Sequence, residues 1–141
     1  MRLLAAIVTL AWLAAGLVLT LRPIPEVEAI APDNAIPFVT FARCFAAPAA
    51  NLSQVVGNLG LLGVIGFPAP IAWRWLDRWW RVAITAAAIS IAIELIQLPI
   101  PGRAADIDDV ILNVVGAVLA YGVWRLLSPP VRLHPEERGT R

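Results

Sequence analysis

The residues best suited to chemistry lie between Glu94 and Asn113, in the stretch ELIQLPIPGRAADIDDVILN. Glu94 and Gln97 stand three apart, Arg103 follows, then Asp106, Asp108 and Asp109, with Asn113 four residues beyond Asp109. Four acids against one guanidinium sum to minus three if all ionise. Such a balance disfavours an unassisted phosphate site and calls for a cation, a cationic ligand or a protonated carboxyl. Three chemistries suit these groups: a polar binding pocket, acid–base work by Glu94, and ligation of a hard cation by the aspartates.

Each has a plainer rival. Acids and amides also fasten helices together in membranes. Asp108 or Asp109 is placed to cap the first turn of a following helix, which accounts for one or two of the aspartates but not all three. Asp106-Ile-Asp108-Asp109 lacks the glycine and terminal glutamate of an EF-hand loop, so metal ligation by Asp106, Asp108 and Asp109 is a minor reading, and neither a metal nor a cofactor is expected. An enzyme is disfavoured for want of an activated nucleophile. Ser90 lies one turn before Glu94 but has no histidine beside it; the sole histidine, His134, is in the tail, and Ser90 is expected to bond its own helix backbone.

The elements that position these residues follow from composition. Of 141 residues, 60% are hydrophobic and 15% charged, outside the range of soluble domains and in that of a single membrane domain. All eleven basic residues are Arg, and a net charge of +1 with no basic cluster excludes a general nucleic-acid surface. Cys44, alone, can form no internal disulfide and no metal pair.

Residues 3–21 are an uncharged run, long enough to cross about 30 Å of hydrocarbon and longer than a signal-peptide core, so an uncleaved first helix is expected. Five prolines punctuate 22–51 and make it a loop, within which Phe38, Phe41 and Phe45 recur at helical spacing, suited to an interfacial segment or to packing on the bundle. A second run covers 52–73, with Gly57, Gly60, Gly63 and Gly66 three apart for close helix approach, Asn58 among them, and Pro68 and Pro70 kinking its far half. Runs over 79–98 and 109–127 complete a set of four, and 128–141 is a polar tail expected to fray.

The fold class is therefore all-α: a polytopic, four-transmembrane-helix bundle. Eight arginines lie on the side of the termini and of the 74–81 linker, against Arg22, Arg43 and Arg103 on the other, so both termini are expected to be cytoplasmic. Trp73, Trp75, Trp79, Trp80 and Trp124 then form an inner aromatic belt. Asn58, Glu94, Gln97 and Asn113 fall at one depth near the outer boundary. With Arg103, Asp106 and Asp109 they make the candidate polar pocket. An ionised Glu94 in a bilayer needs a partner. The alternatives are Arg103, the nearest in sequence, a proton or water, or an amide from Asn58 or Asn113.

In order and spacing these residues resemble the VanZ-like family of small bacterial membrane proteins. The resemblance spans about 58–121: Asn58 opening a glycine-bearing helix, Ser90, Glu94-x-x-Gln97, Arg103-x-x-Asp106-x-Asp108-Asp109, Asn113 and Gly116-Ala117. Val64 stands where the family often has proline, with Gly66 kept, and Ala120 where it has glycine. Both departures concern packing. The resemblance implies an integral protein of the bacterial plasma membrane and envelope, from a family named for resistance to teicoplanin, a glycopeptide antibiotic. It implies no known reaction.

The leading expectation is an outward-facing pocket binding an envelope lipid, a lipid-linked precursor or an amphiphilic antibiotic, with Glu94 and Arg103 central. The alternatives are a metal-assisted membrane enzyme acting on a lipid-linked substrate, or a structural subunit that joins another protein through the glycine face of the second helix.

Overall fold

In the computed structural model of the chain, residues 1–23, 34–101 and 103–128 are described. The expected polar tail therefore lies almost wholly outside the described residues, as does the middle of the proline-rich segment. The elements are α1 (Arg2–Leu21), α2 (Val39–Ala46), α3 (Pro48–Leu61), α4 (Gly63–Gly66), α5 (Pro68–Ala72), a 3₁₀ turn (Arg74–Leu76), α6 (Trp79–Gln97) and α7 (Ile107–Leu127).

Four stretches among the described residues are long and apolar enough to cross a membrane: Arg2–Leu21, Asn51–Ala72, Trp79–Gln97 and Ile107–Leu127. At 19 to 22 residues each, they reach about 30 Å at the α-helical rise. Their large apolar side chains point outward in number, Leu3, Val18, Ile84, Leu95 and Leu119 among them, as the lipid-facing surface of a bundle requires.

The second span is a helix in three pieces. Pro68, which has no N–H to give, occupies the first turn of α5 and forces the break at Phe67. At the other break, Ile65 N–H donates to the Leu62 carbonyl at 2.9 Å, one residue short of the α-helical partner. The Leu61 carbonyl released by that tightening accepts instead from the Trp12 indole N–H of α1, at 3.1 Å.

α7 is the central element, packed against α6, α4 and α3 and touching α2 at its start, while α1 lies mainly on α5. The core is small and apolar: Leu62, Ile65, Ala69, Leu76, Val82, Ala86 and Ala117. Two glycines permit its closest approaches. A Cβ on Gly66 would strike the Ala117 carbonyl, and one on Gly116 the Leu59 carbonyl. Gly57 and Gly60 have nothing within 4 Å of such a Cβ, so the four evenly spaced glycines do not form one seam. A step of three on a 3.6-residue helix drifts by about 60° each time, and the helix is broken within the series.

α2 begins later than the phenylalanine spacing suggests. Phe38 is its N-cap, held at φ 71°, so its ring does not share the helical face; Phe45 is exposed, and the Phe41 side chain lies outside the described residues. The loop expected up to residue 51 ends early, because Pro48 starts α3 at the one helical position that suits proline.

Candidate functional site

One end of the bundle carries the polar residues. There the chain from Asn34 to Thr40 crosses the start of α7 and is held to it. The Asn34 N–H donates to the Ala105 carbonyl at 2.8 Å and the Ile107 N–H to the Asn34 carbonyl at 3.0 Å, a single parallel bridge between Asn34 and Asp106.

Asp106 is the N-cap of α7. Its Oδ1 accepts from the Asp108 N–H and from Asn34 Nδ2, both at 2.9 Å, and its Oδ2 from the Thr40 hydroxyl at 2.9 Å. Asp108, fully buried, reaches across to α2, accepting from the Phe38 N–H at 2.5 Å and the Thr40 N–H at 2.6 Å. Its carboxylate thus occupies the N-terminus of a helix some 70 residues away in sequence, satisfying two orphan donors and opposing the helix dipole. Asp109 turns to the third side, where Gln54 Nε2 of α3 donates to it at 3.0 Å.

α6 and α7 run antiparallel and share two polar contacts. The Asp106 N–H donates to Glu94 Oε2 at 2.9 Å, and deeper in, Asn113 Nδ2 donates to Ser90 Oγ at 2.9 Å. Asn113 Oδ1 has no partner among the described residues. Gln97 and Arg103 face α1. Gln97 Nε2 donates to the Thr20 carbonyl at 2.8 Å; Arg103 donates to the Leu19 carbonyl at 2.9 Å and the Arg22 carbonyl at 3.1 Å. These are the carbonyls that a helix C-terminus leaves unsatisfied, and a cation there also suits the dipole. Burial and the nearby Arg22 pull the Arg103 pKa below its usual value.

Against the α6–α7 contact lies a cavity of about 350 Å³. Glu94, Asp106 and Asn34 form its polar side, and Ile91, Leu95, Leu98 and Val110 its apolar side. An amphiphile is the kind of molecule that both sides accommodate.

Of the seven candidate pocket residues, only Glu94 and Asp106 line this cavity. Gln97, Arg103, Asp109 and Asn113 serve other contacts. The Glu94–Arg103 pair is absent as an ion pair: among the described residues the salt bridge is Arg125–Asp77, at the opposite end. Proximity in sequence is misleading here, because the 97–103 turn aims Arg103 at α1. Neither Asp108 nor Asp109 caps α7; Asp106 does, since the helix starts at Ile107. With Asp106 in extended backbone (φ −130°), Asp106, Asp109 and Asn113 do not lie in one helical row, and the three meet the 34–40 segment, α3 and α6 respectively. Ser90 Oγ accepts from Asn113 of α7 and makes no bond to its own helix backbone, the one expected, among the described residues. Asn58 is half-buried and bonds none of the described residues.

Among the described residues no group of three His, Cys, Asp or Glu is arranged to hold a metal ion. Asp106, Asp108 and Asp109 have their oxygens turned to different donors. Sequence reasoning missed Asn34, Thr40 and Gln54. Gln54 carried a usable signal, an amide one turn before Asn58 in an apolar run; Asn34 and Thr40, in a proline-rich segment, carried none.

A family model described as VanZ/LLP1 matches residues 4–128. No curated protein and no solved structure matches the chain.

Proposed function

The chain belongs to the VanZ/LLP1 family, and we propose that it binds an amphiphile in the cavity beside Glu94 and Asp106: an envelope lipid, a lipid-linked precursor or an amphiphilic antibiotic. On this reading it is a multi-pass protein of the bacterial plasma membrane, with its polar end outward, its termini cytoplasmic, and a contribution to glycopeptide resistance. The observation that carries the binding reading is the cavity itself, where a carboxylate wall meets a wall of Ile91, Leu95, Leu98 and Val110. Packing alone requires no such opening. The orientation rests on the arginines, which gather with Asp77 and the exposed tryptophans at the far end of the bundle.

The test is expression of the full chain in a teicoplanin-sensitive bacterium, with susceptibility and membrane abundance measured together. Glu94→Gln should abolish any protection while abundance stays within about twofold of the parent, since an amide keeps the acceptor for the Asp106 N–H. Protection retained at normal abundance rejects the role of Glu94; a parallel loss of protein makes it a fastening residue.

A further inference from the structure

The hydrogen bonds around the cavity distinguish one kind of head group from another. Most donors on its polar wall are engaged, although Asn34 Nδ2 keeps one N–H that no described residue takes. Asn34 gives its N–H to the Ala105 carbonyl and its Nδ2 to Asp106; the Asp106 N–H goes to Glu94 Oε2, and the Ile107 N–H to the Asn34 carbonyl. Acceptors are not spent. Glu94 Oε1 receives no hydrogen bond from any described residue, although Glu94 is only 8% exposed and lines the cavity. That oxygen is not among the enclosed side-chain atoms without a partner, so it opens to the cavity as an accessible carboxylate oxygen with no protein donor on it among the described residues.

No cationic side chain and no aromatic ring lies among the cavity's described lining residues. Arg103, the guanidinium nearest in sequence, is committed to the Leu19 and Arg22 carbonyls. A phosphate would enter beside two carboxyl groups with no positive partner. A quaternary ammonium has no proton to donate and is recognised by aromatic faces, which are missing. A primary ammonium carries three donors and a positive charge, and supplies what Glu94 Oε1 lacks.

We propose that the cavity selects amphiphiles bearing a primary ammonium, the ammonium donating to Glu94 Oε1 and the chain lying on Ile91, Leu95, Leu98 and Val110. This rests on the binding reading above and narrows it, placing molecules whose head carries phosphate without an ammonium outside the preferred class.

The experiment uses the purified full chain in phosphatidylcholine nanodiscs and a photoactivatable alkyl amine. Decylamine, decyl phosphate, decyltrimethylammonium and decyl maltoside serve as competitors of one chain length. Decylamine should compete at least about tenfold better than the phosphate or the quaternary amine, the scale of one charge-assisted hydrogen bond. Glu94→Gln should bring that preference within about twofold. Phosphate competing as well as the amine, or a preference that survives Glu94→Gln, overturns the assignment. If the maltoside binds without any preference for the amine, the head-group assignment fails and the binding reading stands; if none of the four binds, both fail. The wild-type series decides the matter alone should Glu94→Gln not accumulate. Short-chain phosphatidylethanolamine as a fifth competitor separates the sources. Displacement matching decylamine identifies a membrane lipid, and weaker displacement a free amphiphile; either keeps the ammonium assignment.

Discussion

The two ends of the bundle hold their charges in opposite ways. At the arginine end the contacts are exposed and mostly local: Arg81 donates to the Trp75 carbonyl at 3.0 Å and stacks over Trp75 and Trp80, and Arg125 stacks over Trp124 beside it. Even the ion pair Arg125–Asp77, 3.3 Å, has both side chains about half exposed. At the carboxylate end the acceptors Glu94, Asp106 and Asp108 are buried, and the bonds that hold Asp106 and Asp108 to the 34–40 segment join residues more than 60 apart, as with Thr40 to Asp106 and Phe38 to Asp108. Solvent and lipid head groups can replace the first kind of contact, but nothing replaces the second. The carboxylate end therefore holds the fold together as well as bordering the cavity, and most of its acids are explained by that task. Glu94, with one oxygen unengaged, is the exception that the functional proposal uses.

The contrast is most sharply broken at Asp108. Asp108→Ala leaves the Phe38 and Thr40 N–H groups buried without an acceptor, at a cost of about 3 kcal/mol or more. It should lower the thermal midpoint in detergent and abolish amide-exchange protection across α2; protection that persists there would show the carboxylate is dispensable. A smaller effect is expected midway between the ends. Gly116→Ala drives a methyl group into the Leu59 backbone, a loss of about 2 kcal/mol, whereas Gly60→Ala meets open space and should not lower the midpoint. Equal losses from both would mean the glycine series is one seam after all. The smallest effect belongs to the arginine end. Arg125→Ala should cost less than about 0.5 kcal/mol, because the pair it breaks is solvent-screened; the measurement is the same thermal midpoint, and a drop comparable to that of Asp108→Ala would erase the difference between the ends.

The polar end was legible in the sequence as a gathering of groups but not as a set of bonds. Glu94, Gln97, Asp106 and Asn113 do converge, because turns at both ends of the bundle return successive spans to the same depth. Their partners were misjudged wherever the true one lay far along the chain. Arg103 is nine residues from Glu94 yet bonds α1, and Asp108, read as a cap for its own helix, serves α2. Asn34 and Thr40 had no sequence feature marking them, since a loop residue becomes important here only by lying across α7.

Hydrophobic length is a local sum, complete within any window of about twenty residues. For that reason the sequence by itself determined the four membrane-length helices, the all-α class and the clustering of acids between the last two. Proline chemistry, also local, marked the break in the second span but not the helix that Pro48 starts. The choice of hydrogen-bond partner has no such local signal, because it depends on which distant segments the packing of α7 brings within about 3 Å. Only the tertiary structure decided that Asp106 and Asp108 fasten the 34–40 segment while Asp109 fastens α3, that Arg103 closes α1, and that an apolar cavity opens beside Glu94.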